Sequence, residues 1–196
     1  MQPIRSSIFI LAILFGSLLA SGQDSPASKP GGPVDNDFVQ KQFGDTCSLV
    51  PGPSPLKADL DGDGVEDIVI VARCRNPLPD QAEYNFRVVD PYNSYFGFGD
   101  PKITTEFASE DPERRGISLL IIHGSGPDAW RSATPKAKFL VINLPFKQIA
   151  VKKMLVHKKS LTAIYAEEAH EGQGVISALY WDGKKYKYHP MGMSME

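Results

Sequence analysis

Four aspartates and a glutamate crowd the segment Asp59-Leu60-Asp61-Gly62-Asp63-Gly64-Val65-Glu66-Asp67. It runs directly into the apolar stretch Ile68-Val69-Ile70-Val71-Ala72. Counted from Asp59, aspartates stand at loop positions 1, 3, 5 and 9 and a glycine at position 6. A hard cation such as Ca2+ takes about six to eight oxygen ligands. Odd spacing lets a tightly turning backbone aim alternate side chains at one centre. Gly64 supplies the sharp turn, and the Val65 carbonyl at position 7 is placed to add a backbone oxygen. Without a cation, carboxylates this close repel one another.

Two calcium-loop patterns share this spacing. The EF-hand needs a bidentate glutamate at position 12 and a helix after it. Here position 12 is Ile70, inside a β-branched run, so that pattern fails. The stretch Lys57–Ala72, KADLDGDGVEDIVIVA, resembles the calcium loop of FG-GAP and VCBS-type repeats found in integrin-like propellers, which read D-x-D-x-D-G-x-x-D before an apolar strand. The resemblance implies Asp59, Asp61, Asp63 and Asp67 as side-chain ligands, Val65 as a backbone ligand, and Ca2+ as the ion. The loop occurs once, without the repeats of a propeller. It implies a single-loop relative with a structural metal site.

Residues 1–22 read as a secretory signal peptide, with one charge at Arg5, an apolar run Ile8–Ala20 and small residues at Ala20 and Gly22. The run is shorter than the ~20 residues of a membrane span, so no stable span is expected after cleavage before Gln23. Export, to the periplasm or the extracellular medium, makes a disulfide between the two cysteines, Cys47 and Cys74, the expected state. Its closed loop is worth about 3–4 kcal/mol in the chain-entropy model.

The elements that position these groups follow from pattern. Residues 23–34, rich in Pro, Gly and Ser, form a flexible linker. A single domain spans 35–196. It opens on one short helix, Asp35–Gly44, capped by Asp35 or Asn36, with Phe38 and Phe43 inward and Gly44 as the stop. Strands are expected at 68–72, 84–89, 103–107, 117–122, 139–144, 149–156, 161–166 and 175–180, with Asp182–Gly183 as a two-residue turn into 184–188. The fold class is mostly β, a sandwich or barrel of about eight strands with one N-terminal helix; an α+β domain is the alternative. Seventeen glycines and 16 prolines among 196 residues favour turns over long helices. A net charge of −2 gives no basic field for nucleic acid.

Other chemistry is weaker. Leu119–Ile122 followed by His123-Gly124-Ser125-Gly126 looks like the strand and oxyanion loop of an α/β-hydrolase, but the exported portion lacks G-x-S-x-G. Ser125 with His123 or His157 keeps an exported hydrolase as the alternative function. Ala166–Gly172, with His170, reads as a polar surface loop rather than a zinc site. Tyr92, Tyr95, Phe96 and Phe98 form either a stacking surface for a partner or the loop's own small core. Trp130 and Trp181 are expected to be packed. Lys147, Lys153 and Lys159 share parity along an extended chain, so one face is expected to be positive. The leading expectation is an exported calcium-binding β-rich module, structural or binding in role, with an extracytoplasmic protein or glycan as partner.

Overall fold

The computed structural model describes residues 32–97, 112–168 and 175–193. The expected signal peptide, most of the linker, the strand at 103–107, Phe98 and His170 lie outside the described residues.

Helix α1 (Asn36–Phe43) forms as the sequence suggests. The Asp35 carboxylate accepts the Phe38 amide at 2.9 Å, satisfying a donor that the first turn leaves open. Gly44, at φ 89°, closes the other end. Ten strands follow: β1 (Cys47–Leu49), β2 (Leu56–Ala58), β3 (Asp67–Cys74), β4 (Arg87–Val89), β5 (Ile117–His123), β6 (Ala137–Val141), β7 (Phe146–Val156), β8 (Lys159–Glu168), β9 (Val175–Trp181) and β10 (Tyr186–Met193). A second short helix, α2, spans Pro91–Tyr95.

The strands make two sheets with no closed barrel. The first has the order β1-β3-β5-β6-β4, with β2 beside β1 on the same edge of β3. All its pairings are antiparallel except β4 with β6. The second is the antiparallel meander β10-β9-β8-β7. Both faces of the first sheet are covered, which explains its unbroken apolar runs. Ile68, Ile70, Ala72, Leu120, Ile122 and Leu140 pack with Val39 and Phe43 of α1. The alternate residues Val69, Val71, Leu119, Ile121, Phe139 and Val141 pack with Ile164, Ala166, Leu179, Tyr186 and Tyr188 of the second sheet. Residues two apart share a face of a strand, so one sequence builds both cores.

Three expectations are corrected. The last hairpin turn has four residues, Asp182–Lys185, because Tyr186 pairs with Trp181. The Asp182 carboxylate holds the Lys184 and Lys185 amides at 2.9 Å each and so closes the wider turn. Lys153 and Lys159 lie on opposite faces, because the chain reverses at His157–Lys158, both at positive φ, and Lys159 pairs with Val156. A register shift between Phe146 and Gln148 further breaks the parity of Lys147. Glu168 belongs to β8 rather than a surface loop; it is buried, and its Oε1 accepts the Tyr188 hydroxyl at 2.5 Å.

Candidate metal centre

The acidic segment is the connection of a β-hairpin. Ala58, the last residue of β2, pairs with Asp67, the first of β3. The loop between them curls around the Asp59 carboxylate. Its Oδ1 accepts the amides of Gly62 (2.7 Å) and Asp63 (3.1 Å), and its Oδ2 accepts Gly64 (3.0 Å). Gly62 and Gly64 sit at φ 78° and 86°, where a side chain is strained. The Val65 amide donates to Asp63 Oδ1 at 2.9 Å.

Asp67 fixes the base of the loop. It is fully buried, with Oδ2 accepting the Leu60 amide and Oδ1 the Gly124 amide, each at 2.8 Å. Burial still dominates and pushes its pKa up to about 6. Gly124 itself must be glycine. A Cβ there would run into the Glu66 carbonyl and the backbone of Ala129 and Trp130. Trp130 locks this junction: its amide donates to the Glu66 carbonyl at 3.1 Å and its indole to Glu66 Oε1 at 2.9 Å.

Carboxylate oxygens of Asp59, Asp61 and Asp67 lie within 4.8 Å of one another. At an effective dielectric near 20, two unit charges at that distance repel by about 3.5 kcal/mol. Among the described residues, one protein cation faces them. Lys136 Nζ lies 2.6 Å from Asp61 Oδ2 and 2.6 Å from Asp63 Oδ2. The two carboxylates raise its pKa, and its ammonium lowers that of Asp63. The Asp61 side chain is 2% exposed but that of Lys136 is 48% exposed, so the ammonium has a path to solvent. The sequence reading missed Lys136, which lies 73 residues from Asp63 and carries no local signal.

His123 closes the inner side. Its Nδ1 is 3.4 Å from Asp61 Oδ2, and its Nε2 is 2.6 Å from the Tyr186 hydroxyl. Burial lowers its pKa to about 4, so the ring is neutral near pH 7. A proton on Nδ1 faces Asp61 and leaves Nε2 to accept from Tyr186. Phe139, Trp181 and Tyr186 pack around the ring at centroid distances of 5.1, 5.2 and 5.7 Å.

The aspartates expected as ligands thus divide. Asp59, Asp61 and Asp67 converge, while Asp63 turns to Lys136 and the loop backbone. Anionic oxygen donors suit a hard divalent cation better than a thiolate-seeking or imidazole-seeking metal.

The disulfide joins Cys47 to Cys74 and staples β1 to the far end of β3. The eight residues of β3 put Asp67 seven steps, roughly 23 Å at 3.3 Å per residue, from that end. The bridge therefore clamps the strand behind the loop rather than the loop itself.

Neither histidine nitrogen of the suspected hydrolase pair faces Ser125. The Ser125 hydroxyl donates to the Thr134 carbonyl at 2.6 Å and lies 3.0 Å from Ser132 Oγ. The aromatic candidates stay partly exposed. Tyr92, Tyr95 and Phe96 surround Tyr188 at 5.1, 5.3 and 6.2 Å, with Tyr95 53% and Phe96 52% exposed. Three of them stand on or beside α2, whose start the sequence signals: Asp90 caps it through Asn93, and Pro91 holds its first position. Trp130 is buried and Trp181 packs in the inter-sheet core, as expected.

No protein family, curated protein or solved structure matches the chain.

Proposed function

We propose that this protein is an exported β-sandwich module that holds one Ca2+ in the loop 59–67, with a structural or binding role and no catalytic one. The observation that carries this reading is the convergence of Asp59, Asp61 and Asp67 on a loop already curled by its own amides. Such a loop needs little reordering to receive an ion. In the proposal, Asp59, Asp61 and Asp67 ligate through carboxylates, Val65 through its carbonyl, and Asp63 after release of Lys136. The loop pattern supports kinship with the FG-GAP and VCBS-type calcium loops. The disulfide supports an oxidising compartment, and no helix among the described residues is long and apolar enough to cross a membrane. The exposed rings of Tyr95 and Phe96 are the surface proposed to meet an extracytoplasmic protein or glycan.

The test is thermal unfolding of residues 23–196 in EDTA and in millimolar Ca2+, beside Asp61→Asn. Calcium at 100 times its dissociation constant adds about 2.7 kcal/mol. The proposal expects a rise of several degrees that Asp61→Asn abolishes. Equal melting temperatures with and without calcium would remove the metal from the account.

A further inference from the structure

Strand β10 is the last strand of the second sheet and runs beside the short helix α2, with Tyr188 against Tyr92 and Tyr95 at 5.1 and 5.3 Å. Between helix and strand lies a cavity of about 160 Å³. Ser94 and Tyr95 line it from α2, and Lys185, Tyr186, Lys187 and Tyr188 from the last turn and β10. Because the cavity follows the edge of the strand, it meets Lys187 from one face of β10 and Tyr188 from the other. A cavity of roughly 150 Å³ takes a benzene ring, so this one has room for a single six-membered ring.

The lining is not that of a packing defect. An edge strand turns alternate backbone N–H and C=O groups away from its neighbour, and here they border the cavity. Tyr95 is 53% exposed. The lysines keep donors to spare. Asp182 Oδ1 holds the Lys184 and Lys185 amides at 2.9 Å each, and Asp182 Oδ2 stands 3.8 Å from Lys187 Nζ, beyond hydrogen-bond length.

These features select the occupant. Two cations call for an anionic group. A half-bare aromatic face calls for C–H groups, which meet the negative face of the ring. An inorganic anion would use the lysines and leave Tyr95 idle; a neutral sugar would do the reverse. A pyranose that carries a carboxylate uses both. We propose that this cavity binds one uronate residue of an acidic glycan, with its carboxylate on Lys185 and Lys187, its C–H face on Tyr95, and its hydroxyls on Ser94 and the edge backbone of β10. The proposal rests on the reading of Tyr95 and Phe96 as a partner surface and names the occupant.

The test is calorimetric titration of residues 23–196 with a galacturonic acid trimer, in EDTA so that neither the acidic loop nor calcium bridging contributes. One trimer per chain is expected, with affinity falling as salt rises from about 0.05 to 0.5 M. A neutral galactose trimer of the same linkage is expected to bind at least about tenfold more weakly. Lys185→Gln combined with Lys187→Gln, and separately Tyr95→Ala, should each weaken the acid trimer about tenfold. All three side chains are at least partly exposed, so unchanged melting temperatures separate lost binding from lost fold. Equal binding of the two trimers would overturn the proposal and leave Tyr95 and Phe96 as a surface for neutral glycans. Binding of neither would overturn it together with the glycan reading on which it rests. Displacement by equimolar inorganic phosphate, or binding undiminished in the variants, would also overturn it.

Discussion

Two hairpin connections of this protein carry opposite charge and opposite architecture. The β2–β3 loop is acidic and folds inward: Asp59 and Asp67 spend their oxygens on five backbone amides, and Asp61 is shielded from solvent. The β7–β8 tip is basic and projects outward, with Leu155 largely bare. An inward acidic loop is a strained arrangement that a cation relieves. The outward tip is already solvated at Leu155, Lys158 and Lys159, and only Met154 and Val156 behind it are packed. Stability should therefore be sensitive to one loop and indifferent to the other.

The largest effect is expected at Asp67. Asp67→Ala leaves the buried Leu60 and Gly124 amides without acceptors, at roughly 1–3 kcal/mol each. Urea unfolding should show a loss of about 3–5 kcal/mol, in EDTA as well as in calcium. A loss confined to calcium solutions would mean that the carboxylate matters only as a ligand.

Breaking the disulfide comes next. The 27-residue separation of Cys47 and Cys74 predicts a loss of about 3.5 kcal/mol in the double Ser variant. Because the bridge sits at the far end of β3, calcium affinity should change little. A large fall in affinity would tie the two sites together.

Lys136→Gln should act with opposite signs in the two conditions. Without calcium it exposes Asp61 and Asp63 to their own repulsion and costs about 1 kcal/mol, since the lysine is half exposed. With calcium it removes the competing cation, and titration should show affinity rising about tenfold. A fall in affinity would make Lys136 a support of the loop rather than a placeholder.

A pH series sharpens the inner half of the comparison. The folded protein holds the Asp67 proton up to about pH 6, well above the usual 3.8. This group's contribution to the stability of the metal-free protein is thus fullest below about pH 4 and is lost as pH rises through 6. Calcium needs the ionised carboxylate, so its stabilising effect should grow over the same interval. In Asp67→Asn both trends should flatten. The smallest effect belongs to the outer tip: Leu155→Ser should change stability by less than about 0.5 kcal/mol.

Where sequence and structure agree, the information is local. Asp35 and Gly44 bracket α1 because capping acts over three or four residues. The run 68–72 declares β3 because both of its faces are covered. The tight turn at the acidic loop is legible because Asp59 and the glycines that close it stand within five residues of one another. The parts that were not legible depend on distant partners or weak elements. Lys136 and His123 reach the loop across 60 residues or more, through sheet order. Strands β1 and β2 are three residues each and owe their pairing to β3. The burial of Glu168 follows from Tyr188 on another strand. The Asp90-Pro91 helix start, by contrast, was available to reading.

The most direct measurement is a calorimetric titration of Ca2+ into the metal-free protein near pH 7, on the parent chain and on Asp61→Asn. The account predicts one ion per chain for the parent and a severe loss of affinity in the variant. No heat of binding in the parent, or equal binding in both, would contradict it and leave the loop as a carboxylate turn neutralised by Lys136 alone.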